Sequence, residues 1–367
     1  MQSLTTKISI CALTCVLFLI VQNSQAQMNP GFAPLFGPLF DNSADVPATA
    51  QHDAQAEPDT FPAEPTKNAA TESSDEPLYA CACGCGIFEV GTASMLPHGA
   101  GGMIYVEYDY QDQTINWSGV HSAPAADNDD KNIRTNFVTL GAEYFFNRSW
   151  GIQVEQSYDN RHFATETAAP GGGVASLQWG AFSDLRLQAI YAGFFEDQSL
   201  GVSFGTKLPT GNWTHNNRYG DVDRDSELGT GCVDLLAGGF FRHQFGSSFT
   251  GFAQVLVDAP IDECQGYRPG LEADGAVGAY YTGLKIGGVG IYPLGQILVS
   301  ERGHDSGPNA AHPIASGYQR LLLSPGLEVH VHPFTIYADV EIPVWQHFSG
   351  DQLTAPCLVK VIVSYNF

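Results

Sequence analysis

Cys81, Cys83 and Cys85 stand in a C-x-C-x-C run spaced by Ala82 and Gly84, with Gly86 next. Three thiols this close can converge on one ion, because small spacers let the backbone curl, and thiolates favour soft ions such as Cu(I) or Zn(II). His98 and Met103 follow as further donors, and Asp75 and Glu76 upstream raise the local cation concentration. In an oxidising compartment the same thiols can instead close a disulfide. The sequence leaves both readings open. Cys232, Cys264 and Cys357 are the other cysteines beyond the leader, and Cys232 and Cys264 fall near the ends of long connections where they can pair.

The run DVDRDSE at 221–227 sets Asp221, Asp223 and Asp225 at alternate positions, like the start of a calcium loop. Ser226 stands where an EF-hand needs Gly, and Cys232 where it needs Glu, so an EF-hand is rejected. A looser loop Ca²⁺ site or plain solvated charge remains, and Asp127, Asn128, Asp129 and Asp130 read the same way. His243, His330, His332 and His347 have no nucleophile motif beside them, so no enzyme is expected.

The elements that carry these residues are legible from the chain ends inward. Lys7, the apolar run Ile8 to Val21 and Ser24-Gln25-Ala26 make residues 1–26 a cleavable export signal. Residues 27–80 hold nine acidic residues against Lys67 alone, with eight prolines. Such a stretch buries too little apolar surface to offset its chain entropy, so a disordered segment is expected there. Residues 81–100 form a cysteine-containing periplasmic junction. From 101 to 367 the chain alternates with period two.

The last strand shows the pattern. Val359, Val361, Val363, Tyr365 and Phe367 share one face, and Leu358, Lys360, Ile362, Ser364 and Asn366 the other. A membrane strand needs one face for lipid and one for a lumen. Twelve such strands are expected, with the third near 149–158, the fourth near 181–195 and the eleventh near 333–345. Tight turns at Asn147-Arg148, Glu196-Asp197, Gly246-Ser247, Lys285-Ile286 and His332 alternate with long connections near 114–131, 159–180, 210–230, 260–269, 302–317 and 346–355. Short turns on one side and long loops on the other describe an antiparallel up-and-down outer-membrane β-barrel, with lipid as its surroundings. Tyr365 and Phe367 are the expected assembly signal, read by barrel-assembly machinery.

The formal charge of −23 argues against nucleic-acid binding, which needs clustered Lys and Arg. It suits a lumen that favours cations. The inward positions carry Glu107, Asp109, Glu155, Arg186, Lys207, Arg242, Glu272, Asp339 and Glu341 as candidate lumen-lining residues. Leu236, Phe240 and Leu294 are bulky and apolar on the same face, so a constricted lumen is expected.

LPTG at 208–211, GTGCVD at 229–234, LSPGLEVHVHP at 323–333 and PVWQHFSGDQL at 343–353 resemble the outer-membrane transporters named for the MetA pathway of phenol degradation. The resemblance covers about 180–367, and 101–180 more loosely. It implies a channel for small organic or aromatic compounds. Three expectations follow: a channel or transporter for small solutes or ions, a metal-handling or redox-linked barrel using the cysteine run, or a structural or adhesive surface barrel.

Overall fold

A computed structural model of the chain describes residues 100–166, 173–217 and 220–367. The export signal, the acidic segment and the Cys81, Cys83 and Cys85 run lie outside the described residues. The strands are β1 (Gly101–Gln113), β2 (Asp130–Phe145), β3 (Trp150–Glu166) and β4 in two segments (Val174–Phe182 and Leu185–Tyr191). There follow β5 (Leu200–Leu208), β6 (Asp234–Phe245), β7 (Phe249–Pro260) and β8 (Glu272–Tyr281). The last four are β9 (Val289–Arg302), β10 (Tyr318–Val331), β11 (Phe334–Thr354) and β12 (Leu358–Asn366). Each strand pairs antiparallel with its sequence neighbour, and β1 also pairs with β12 from Met103↔Asn366 to Gln111↔Leu358. That last pairing closes a barrel of twelve strands with no free edge along the ring.

Alternation sets the two faces. On β1, Ile104, Val106 and Tyr108 are exposed outward, while Met103, Tyr105, Asp109, Gln111 and Gln113 are buried inward. The outer wall repeats this with Leu140, Ile152, Phe204, Val255, Val277, Ile297, Leu323 and Ile336, all exposed. An apolar surface of that extent is unstable in water and is what a lipid-facing wall requires.

A belt of outward aromatic rings surrounds the short-turn end. Tyr144 packs on Phe146 (5.5 Å), Trp150 on Tyr191 (4.8 Å), Phe249 on Tyr281 (5.1 Å) and Phe334 on Tyr365 (5.3 Å). Amphipathic rings at this level match the interfacial girdle of membrane barrels. Phe367 sits in it too, exchanging backbone hydrogen bonds of 2.9 Å in both directions with Gly102.

The interior of the short-turn half is filled. Phe145, Ile190 and Ala192 form one buried cluster, Met103, Tyr105, Tyr337 and Ile362 a second, and Phe252, Leu256, Tyr280, Leu298 and Leu322 a third. Phe240 and Leu294 pack between them, and Leu236 is buried, as the sequence leads one to expect. Inward glycines on adjacent strands make room for these rings. A Cβ on Gly141 would lie 2.0 Å from the Tyr105 ring, and one on Gly201 2.3 Å from Phe240. Only glycine permits those approaches.

Two expected boundaries are corrected. The segment read as a loop over 159–180 is instead a hairpin extension, with β3 running to Glu166 against Val174–Phe182. Asp159 and Arg161 face inward there while Asn160 and His162 face outward, so both faces are polar and the alternation is invisible in the sequence. The eleventh strand also runs past its expected end at 345. It continues through Gly350 (φ 74), with a register shift between Phe348 and Asp351, and pairs with residues 115–119 of the first long connection.

Candidate functional site

Above the apolar layer the lumen turns polar, and strand register decides which charges meet. Glu155 of β3, Arg186 of β4, Lys207 of β5 and Asp234 of β6 are direct cross-strand partners in one row around the wall. Asp258 of β7 joins them. Lys207 Nζ is ion-paired with Asp234 and lies 2.9 Å from Asp258, while Arg186 reaches Asp258 at 3.7 Å and Glu155 at 3.9 Å. The Tyr105 hydroxyl (2.5 Å) and Gln153 Nε2 (3.0 Å) donate to Glu155 Oε1. Arg186 and Lys207 are adjacent cations in this row, and Asp258 bridges them while Glu155 and Asp234 flank them, so each cation is held by two carboxylates.

A second group surrounds Lys360 of β12, whose direct partners are Asp109 and Asp339. Its ammonium is 3.3 Å from Glu107 and 3.7 Å from Asp109. Asp339 also accepts from Tyr337 (2.8 Å), Gln296 (3.0 Å) and Ser324. Glu341, two positions on, is buried beside it. Lys360, Asp109, Asp339 and Glu341 are buried in this group.

The long connection between β5 and β6 folds inward over this charged layer. Val222 and Leu228 are buried against Ile133, Phe163, Trp179 and Leu353. Arg161 donates to Ser226 O (2.7 Å), and Arg224 lies over the Trp213 ring (4.4 Å) while donating to Thr230 O (2.7 Å). Within the run read as solvated charge, Ser226 and Glu227 are buried instead. Arg161 of β3 and the backbone N–H of His215, which donates to Glu227 Oε1, hold this part of the run inside, and composition does not show them. Among the described residues no three His, Cys, Asp or Glu side chains gather as a metal set.

Burial pushes the Asp225 carboxyl well above the usual range, and Asp223, Asp305 and Asp130 push it further against the opposing pull of Arg302. The packed loop is then fully supported at acidic pH and loses support as pH rises through the raised value, because ionised Asp225 must sit among three carboxylates. Exposure of the loop, read by amide exchange in the folded barrel, should accordingly rise with pH. Asp225→Asn should flatten that limb. A profile unchanged by the substitution would show that another group controls the loop.

Cys232 and Cys264 meet at this mouth as thiols. Cys232 Sγ is 3.3 Å from Tyr267 O, which also accepts from Cys264 N (2.9 Å). Burial pushes the Cys232 thiol up to about 11. Cys357 lies apart, between β11 and β12.

These groups enclose a cavity of about 310 Å³. Glu155, Arg186, Lys207 and Asp258 form its charged wall, Phe137, Ile190, Phe240 and Leu256 its apolar side, and Arg224–Thr230 its cover. Carboxylates outnumber cationic side chains in the lining. Glu107 reaches the cavity, whereas Asp109, Asp339 and Glu341 lie behind it around Lys360. Glu272 also lines it, accepting from the Tyr318 hydroxyl at 2.7 Å. Arg242 sits apart, donating to Asp197 O in a short turn (3.4 Å). Sequence reasoning missed Lys360, Asp234, Asp258 and Glu143. Lys360 shares a face with the other inward residues of the last strand, and that alternation was the available signal. The histidines do not converge: His243 packs between Phe241 and Phe245 while His330 pairs with Glu328 beside Tyr292.

No family model and no curated protein matches the chain in sequence. In structure it resembles an outer-membrane channel from Pseudomonas putida F1 at TM-score 0.55 and 13% identity, covering 76% of this chain and 100% of that one. The β domain of a Bordetella autotransporter (TM-score 0.42, 11% identity, 73% of this chain and 100% of that one) and a Ralstonia pickettii toluene transporter (0.38, 11%, 78% and 96%) are more distant. The chain has the fold of the bacterial outer-membrane barrels, a closed antiparallel ring of twelve strands with an apolar outer wall.

Proposed function

We propose that this barrel conducts small solutes across the outer membrane, and that its cargo is small organic compounds bearing both a polar and an apolar part. The observation that carries this reading is the two-sided cavity. One wall is a row of fixed charges, the other is Phe137, Ile190, Phe240 and Leu256, and its volume of about 310 Å³ falls at the lower end of small-molecule sites. The resemblance to transporters of the phenol-degradation type agrees with organic cargo. We also take Tyr365 and Phe367 as the signal read by barrel-assembly machinery.

The acidic surplus in the lining favours cations in transit. Protein reconstituted in planar bilayers under a KCl gradient should give a cation-selective reversal potential, with a preference that weakens as salt screens the lining. Liposomes carrying it should take up small aromatic solutes faster than empty liposomes. Failure to pass either ions or solutes would overturn the reading. Anion selectivity at low salt would show that the lining charges do not face the path.

A further inference from the structure

Glu143 of β2 is 7% exposed and lines the cavity. Among the described residues, its carboxyl makes no hydrogen bond or ion pair, unlike the other charged groups of this wall. The charge acting on it is Glu155, a carboxylate of the same sign. Register explains their proximity: Glu143 pairs with Gln153 and Gly141 with Glu155, so the two acids are diagonal inward neighbours on adjacent strands. Diagonal neighbours in a sheet are about 7–8 Å apart at the backbone, and both residues line the same cavity. The Tyr105 ring fills the place that Gly141 leaves, so a cation reaches the two acids from the cavity side.

Below this pair the lining is apolar. Ile190 and Phe240 both border the cavity and pack into the cluster with Phe145 and Ala192. A hydrated inorganic ion would have to shed water here for few oxygen ligands. An organic ammonium is more weakly hydrated, places its charge against the two acids from the cavity and lays its body on Ile190 and Phe240. The Phe240 ring, which lines the cavity, adds cation–π attraction. We propose that Glu143 and Glu155 form a subsite for a small organic ammonium ion with an apolar or aromatic body. The inference rests on the channel reading above and narrows its substrate class to cationic amines.

The test compares three probes of one shape in the reconstituted barrel: 2-phenylethylammonium, 2-phenylethanol and phenylacetate. The ammonium should block potassium current at least tenfold more strongly than the alcohol, and phenylacetate should block least. The ratio of ammonium to alcohol block should fall about tenfold in Glu143→Gln, matching the loss of a charged contact of about 1.4 kcal/mol. Glu143→Asp should retain it. Because the ratio is taken within each variant, it does not depend on basal conductance, and heat-modifiable gel migration confirms that each variant is folded. Equal block by ammonium and alcohol, or a ratio untouched by Glu143→Gln, overturns the subsite while leaving the channel reading intact. Calorimetric binding of the ammonium to the detergent-folded barrel separates the two claims. Binding lost in Glu143→Gln supports the subsite even if no current flows, and a barrel that binds but never conducts overturns the channel reading alone.

Discussion

Lys360→Ala should destabilise the folded barrel by about 3–5 kcal/mol, the usual cost of removing one partner from a buried ion cluster. Lys360 is 4% exposed, and its ammonium is the cation nearest Glu107 and Asp109 in the ion pairs of this wall. Its removal leaves Glu107, Asp109, Asp339 and Glu341 without the cation that acts on all four. The effect should be read as a shift in the urea unfolding midpoint of barrel refolded into phospholipid vesicles. Combining Lys360→Ala with Glu107→Gln and Asp109→Asn should restore part of the loss, since the repelling charges go with their counter-ion. A Lys360→Ala barrel within about 0.5 kcal/mol of the parent, the range of an ordinary surface change, would mean that water reaches this cluster.

The second large effect concerns the loop over the cavity. Ser183 and Asp184 interrupt β4, and the buried Asp184 carboxylate ties down both ends of the β5–β6 connection. Gly211 N donates to its Oδ1 (2.9 Å), and Thr230 N (2.7 Å) and Thr230 Oγ1 (2.8 Å) donate to its Oδ2. Gly211 and Gly229 meet there backbone to backbone. A Cβ on Gly211 would lie 2.7 Å from Ser183 C, and one on Gly229 2.9 Å from Gly211 C. The LPTG and GTGCVD runs are thus the two halves of one seat. Hydrogen bonds to a charged group contribute about 1.5–3 kcal/mol each, so Asp184→Ala should raise the open-to-closed ratio of the loop on the order of tenfold or more. Single-channel records should show larger and noisier conductance, with Asp184→Asn between variant and parent. Conductance and noise equal to the parent would show that packing of Val222 and Leu228 holds the loop without this carboxylate.

The sequence by itself determined the class of fold and the face of nearly every strand residue. Period-two alternation is a local property: once Val359, Val361 and Val363 face lipid, Lys360 must face inward, and no distant contact can change that. The alternation of short turns with long loops likewise carried the strand number and the antiparallel order. It failed over 159–166, where Asp159 to His162 put polar groups on both faces, so the two sides of the wall could not be told apart. Which inward charges meet was decided by the tertiary structure. Glu155, Arg186, Lys207 and Asp234 are scattered along the chain and become one row only through the register of four strands, which ring closure sets. The same holds for the acidic run at 221–227. Its composition reads as solvated because an isolated chain offers those carboxylates only water, whereas the closed barrel brings Arg161 and Arg302 to the same mouth. Local sequence determines orientation relative to the backbone, but electrostatic partnership depends on distances across strands that only the folded ring establishes.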